Sequence, residues 1–285
     1  MLLGENTPIS QSHSPETGNY FIHYSDNDSP NNYTEWLDSK YQEANQVLTL
    51  LQLLRDGIID IDYYSIYFTP NFVNKIRRFG NFYFGDIKKT IRTNKYSLSK
   101  ENINTLIDYH KVQAKFAKRL QNANSQLGKV LTLAQRHYAN YHSKEIKEEQ
   151  FLDLIIAIDS LYSPSDTMEL SYRIKQYAGI FLGKDNNGKE IYDFLSKIII
   201  KRGILVHGGL RKSKDDAIIT DDEVNKLASI VRKSILGFTT LYLKGEDKLD
   251  IIHDRVQDAV FNHEEAIKLR EESDPDKFVK DTLKE

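Results

Sequence analysis

Cysteine is absent from the 285 residues, which excludes disulfides, thiolate zinc sites and cysteine nucleophiles together and points to a reducing compartment, the cytoplasm by default. Long apolar runs are missing as well. None approaches the ~20 residues that span a bilayer, and Met1-Leu2-Leu3-Gly4-Glu5 has neither the basic start nor the apolar stretch of a signal peptide. The expectation is a protein without membrane contact. An excess of positive charge is lacking too: 39 Lys and Arg against 41 Asp and Glu leave a formal net charge of -2. No global field therefore draws in nucleic acid, and any such contact must use a local patch. What is present is ordinary for a folded chain, 40% hydrophobic and 28% charged residues, enough to bury a core in one large or two modest domains.

Residues 1–33 are rich in Ser, Asn, Asp, Pro and Gly and read as a polar arm, with Tyr20 to Tyr24 as one candidate strand. The region 34–126 reads as helices around a small β insertion. Apolar residues recur at helical spacing from Trp36 to Leu54 and from Ile103 to Leu120, whereas Ile58 to Phe84 is aromatic and β-branched with turn signals. A helix is expected from Leu127 to Tyr141. The next, Ile146 to Tyr162, is apolar on nearly every face and should form the centre of the core. Asp166 with Glu169 has capping-box spacing for a helix ending at Gly183, and Asp185 to Gly188 is a turn before a helix that runs to Gly208. Thr220 with Glu223 repeats the capping logic for a helix reaching Tyr242. One charged helix is expected from Asp247 to Glu272, with a polar tail from Ser273. The fold class is mainly α, with 127–245 as a helical bundle domain and 246–285 as a C-terminal helix and tail.

The stretch most suggestive of chemistry runs from Lys197 to Lys214. It carries Lys197, Lys201, Arg202, Arg211, Lys212 and Lys214 without one acidic residue, the clear cationic patch of an otherwise balanced chain and the kind of surface that phosphate contact requires. Arg202 and His207 lie five residues apart, about 140° around a helix, close enough to meet because the Arg arm is long and the His stands where the helix stops. The negative end of the helix favours protonated imidazole, bringing His207 toward the working range of an acid-base group, and Arg202 stays charged and can clamp a phosphate. Gly203 costs about 1 kcal/mol inside a helix relative to Ala, which asks for close approach of another helix or of substrate. A symmetric homodimer packed across this face would bring two Arg and His pairs into one cleft. The plainer account is that basic residues and His suit the last turn of any helix, and His-Gly-Gly is a common stop. Arg136 and His142, six residues apart, come close to the same spacing elsewhere. Together with His110, His137, His253 and His263 they read as solvated helix-surface positions, and no cluster of His and carboxylates suggests a metal site.

Several segments together resemble the Apea-like branch of the HEPN superfamily: Phe151 to Leu161, containing Ala157-Ile158-Asp159-Ser160-Leu161 like that family's core helix, then Glu169 to Ile174, Tyr192-Asp193-Phe194, and Arg202-Gly203-Ile204-Leu205-Val206-His207-Gly208 like its closing element. The resemblance covers about residues 127 to 243. It implies a HEPN-type antiparallel helical bundle that forms a homodimer, cuts RNA without metal or other cofactor, and serves bacterial or archaeal defence or toxin systems, where an antitoxin or defence-system protein is a possible partner. In that family the 2′-hydroxyl attacks the adjacent phosphate; carried over, His207 is the acid-base residue and Arg202 the phosphate clamp. Lys197, Lys201, Arg211, Lys212 and Lys214 are the accompanying RNA contacts, and Glu169 and Gly203 auxiliary positions. Many active members have a polar residue directly after the Arg, where this chain has Gly203. The alternative within the same fold is a non-catalytic dimerisation module that senses RNA or a nucleotide. A transcription regulator is disfavoured, since no helix-turn-helix is evident.

Overall fold

Several helices of this chain start where a side chain takes up the free backbone N–H groups. In the computed structural model, which describes residues 9–12, 19–22, 48–54, 111, 115–116, 118–119, 125–163, 170–184, 187–206 and 218–282, Ser125 caps helix α1 (Gln126–Ser143) by accepting from the Gly128 N–H. After a short turn α2 (Lys147–Tyr162) runs back against it. Helix α3 (Leu170–Leu182) leads into α4 (Gly188–Val206). Thr220 and Glu223 form the expected capping box at the start of α5 (Asp221–Leu243), with both reciprocal bonds made. Gly245, at a φ of 115°, stops that helix by letting its own N–H reach the Tyr242 carbonyl and the Glu246 N–H reach that of Leu241.

The C-terminal region departs from the single helix and polar tail expected of it. Helix α6 (Leu249–Ala259) ends and α7 (His263–Glu272) begins anew, because Asn262 turns its side-chain oxygen onto the Glu264 and Glu265 N–H groups and makes capping a better use of the local backbone than continuation. Arg255 then ties the two together through Glu265 and Glu272. The supposed tail is α8 (Pro275–Thr282): Asp274 accepts from the Asp276 and Lys277 N–H groups, and Pro275 occupies the first helical position, where its missing N–H costs nothing.

Two compact units, Met1–Val47 and Leu48–Glu285, divide the chain. In the first, β1 (Ile9–Ser12) pairs antiparallel with β2 (Asn19–Ile22); the candidate strand at Tyr20 is thus partnered locally. The described residues of the second are helical. Helices α1, α2 and α5 pack mutually, α3 crosses onto α2, α5, α6 and α7, and α4 lies chiefly against α3. The core of α2 meets the expectation: Phe151, Leu154, Ile158, Leu161 and Tyr162 are fully buried. Tyr162, Phe181 and Phe238 from α2, α3 and α5 stack edge-on and tilted at 4.7–6.2 Å between ring centres, and the Tyr162 hydroxyl bonds Ser234 Oγ, whose own hydroxyl donates to the Ile230 carbonyl. Helical residues 48–54 join this core through Tyr138 Oη, which donates to the Gln52 carbonyl, and Arg232, which donates to that of Leu53. The β insertion expected at 58–84 lies outside the described residues.

The α3–α4 hairpin is unusually close. A Cβ added to Gly179 would lie 2.8 Å from the Gly188 carbonyl oxygen, one on Gly188 2.6 Å from that of Gly179, and one on Gly183 2.6 Å from Gly188 Cα; three glycines let backbone meet backbone there. This contact fixes how α4 leaves the turn and hence where its far end arrives.

Candidate functional site

Helix α4 buries little of itself. Leu195 and Ile198 are its fully enclosed side chains, while Ile200 and Val206 are exposed. Residues 195, 198 and 202 fall on one stripe at helical spacing, so Arg202 extends the inward-facing row rather than the solvent face. Its guanidinium Nη2 lies 3.0 Å from Asp159 Oδ2 on α2, with the side chains 34% and 17% exposed. A carboxylate in a core helix must find a cation or stay protonated. Burial pushes the Asp159 carboxyl up to about 6, and the nearby Arg202 charge offsets only part of that effect. Sequence reasoning passed over Asp159 as part of an apolar helix. The signal available was two acids, Asp153 and Asp159, inside the run Phe151 to Leu161, each demanding a partner: Asp153 has His137 of α1 at 2.7 Å, and Asp159 has Arg202.

Lys201, expected among the RNA contacts, is engaged internally. Its ammonium sits 2.6 Å and 2.7 Å from the two Glu223 carboxylate oxygens and donates to the Ile218 carbonyl at 2.6 Å. Burial pushes Glu223 up, but the bonds from Lys201 and from the Thr220 N–H outweigh it and hold the carboxyl below its ordinary value. Lys201 therefore acts as a strut between the end of α4 and the start of α5. Lys197, one turn earlier on the helix, is exposed. Around Gly203 a Cβ would meet nothing within 4 Å, so among the described residues there is open space beside this position, next to Arg202. His207, Arg211, Lys212, Lys214 and Glu169 lie outside the described residues.

Three of the histidines read as surface positions are not. His142 is fully buried between Tyr138 and Tyr141, with ring centres 5.0 Å and 4.8 Å away. His253 is 4% exposed; burial pulls its imidazole below the ordinary value, against the pull of the Leu161 carbonyl bonded to Nε2 at 2.9 Å. His137 is largely covered through its contact with Asp153. His137 and His253 each meet another helix, where an imidazole supplies both an apolar face and one polar tip, which is why charged neighbours in sequence misrepresent their surroundings. Arg136 and His263 are exposed as expected. Among the described residues no group of three or more His, Asp or Glu is arranged to hold a metal ion, and no helix is long and apolar enough to cross a membrane.

No family model, curated protein or solved structure matches the chain. What stands at this site, among the described residues, is a partly exposed guanidinium, a mostly buried carboxyl that burial pushes up to about 6, and open space at Gly203. Such a set can bind an anion through the guanidinium and take up a proton at the carboxylate.

Proposed function

We propose that this chain is a HEPN-type RNA endonuclease, acting as a cytoplasmic homodimer without metal, in a defence or toxin-like system where a partner protein restrains or triggers it. In this reading the 2′-hydroxyl attacks the adjacent phosphate, His207 transfers the protons, and Arg202 holds the phosphate. Lys197, Arg211, Lys212 and Lys214 guide the strand. The observation that carries the proposal is Arg202 itself: a guanidinium oriented by a carboxylate of the core helix, at the end of α4, beside the open surface at Gly203. A preoriented cation is worth far more to a transition state than a free surface Arg, because its reorganisation is already complete.

Incubating the purified full chain with structured and single-stranded RNA, with and without EDTA, tests this. The expected result is chelator-resistant cleavage giving cyclic phosphate ends, reduced at least about a hundredfold in both Arg202→Ala and His207→Ala. Cleavage that needs a divalent ion, or that survives both substitutions, would sink the assignment. A second reading, a non-catalytic module that binds RNA or a nucleotide, draws on the internal pairing of Lys201 with Glu223 and of Arg202 with Asp159, which lowers the free positive charge of the patch. Binding without cleavage is its outcome in the same assay.

A further inference from the structure

Asp159 has no reason in packing to be acidic. It lies on the inner helix of the bundle, where an Asn of the same shape would avoid the cost of burying a charge. Its carboxylate nevertheless occupies the Arg202 guanidinium at 3.0 Å, the very group to which an anion would have to bind. Among the described residues, neighbouring charges that engage other groups include His137 of α1, which faces Asp153, Lys147 of α2, which holds Asp221 of α5, Lys201 of α4 and Glu223 of α5, which hold each other, and Arg173 of α3, whose charge acts on Tyr177 and His253. Among the described residues Arg202 is the charge that acts on Asp159.

We infer that Asp159 is the internal anion of this site: it holds Arg202 in place while the site is empty and yields it to an incoming phosphodiester by taking up one proton from solvent. The balance is simple. The empty pair is one cation and one carboxylate; bound phosphodiester brings a second negative charge beside the first, and one proton added to Asp159 restores neutrality. A carboxyl already poised to titrate near pH 6 makes that uptake easy, whereas an ordinary exposed Asp would resist it. Asp159 is on this view a positioning residue, and it sets a pH dependence for anion binding. The inference rests on reading Arg202 as the anion-binding group, but not on cleavage.

A short 2′-O-methyl oligoribonucleotide, whose blocked 2′-oxygen cannot attack, serves as the probe, with affinity measured by fluorescence anisotropy on the full chain from about pH 5.5 to about pH 8. The readout is the ratio of Asp159→Asn to wild-type affinity, in which any titration of His207 cancels. That ratio is expected to start near one at the acid end and to rise toward tenfold per pH unit above about pH 6, the slope of one linked proton. Asp159→Glu should keep the wild-type dependence, and Arg202→Ala should bind weakly whether or not Asp159 is also replaced. A ratio that stays flat or falls with pH, or a wild type that does not bind the probe, overturns the inference. Cleavage of unmodified RNA separates the two ideas. Linked binding with no cleavage leaves Asp159 its role and ends the nuclease reading. Cleavage lost in Arg202→Ala but with an unchanged pH profile in Asp159→Asn does the reverse.

Discussion

At the scale of single residues, the energetic oddity is Asp159. Its folded-state pKa is raised from 3.8 to about 6, so between those values the native state holds a proton that the unfolded chain has lost. Its stabilising contribution is therefore present at low pH and disappears as pH rises through about 6, leaving a net cost at neutrality. Replacing it by Asn is expected to raise stability at pH 7 by on the order of 2 kcal/mol, with the difference from wild type shrinking toward pH 4. Urea unfolding at the two pH values measures this. A variant less stable than wild type at neutral pH would mean that the Arg202 contact is worth more than the buried charge costs. A site that gives up stability to keep a carboxylate beside a guanidinium is the pattern expected where chemistry or binding needs both.

Among elements, α4 depends on how closely its start is held. The Gly179 to Gly188 contact admits no side chain, and the atoms in the way are backbone rather than the movable end of a side chain. Gly179→Ala is expected to lose about 1–3 kcal/mol, the usual cost of overfilling a packed contact, and to displace the far end of α4 so that Arg202 and Asp159 no longer meet. Thermal unfolding gives the first effect; loss of oligonucleotide affinity at temperatures where the variant is still folded gives the second. The elements themselves were largely legible in advance: α1, α2, α3, α4 and α5 occupy nearly the stretches that apolar periodicity marked, and α5 starts at the expected Thr220 and Glu223 box, whereas the box expected at Asp166 and Glu169 lies outside the described residues. The break at Asn262 was not, because one Asn within a charged helical pattern is an equally good surface residue until its side chain is seen on the Glu264 and Glu265 N–H groups. Nor was α8, since Ser-Asp-Pro-Asp reads as a tail or as a cap and first turn with equal ease.

For the molecule as a whole, the bundle extends beyond the segment bounded by motifs. Phe116 is 1% exposed and packs edge-on to Tyr242 at 5.6 Å, while Arg119 lies over the same ring at 4.6 Å and pairs with Asp247. Phe116→Ala is expected to cost about 3–5 kcal/mol, as emptying a buried aromatic site does, and to lower the single unfolding transition of the α1–α8 helices. A loss below about 1 kcal/mol would mean that residues before α1 add little to this core. The amino-acid sequence alone determined the helical class, the Thr220 and Glu223 capping box and the want of thiol chemistry, because these depend on residue type and near-neighbour spacing. Only the tertiary structure decided that Arg202 turns inward to Asp159, that Lys201 is held by Glu223, and that His142 and His253 are buried. Such pairings join residues tens of positions apart, and burial, which sets the strength of every charge and hydrogen bond, belongs to the packed helices and to no one of them.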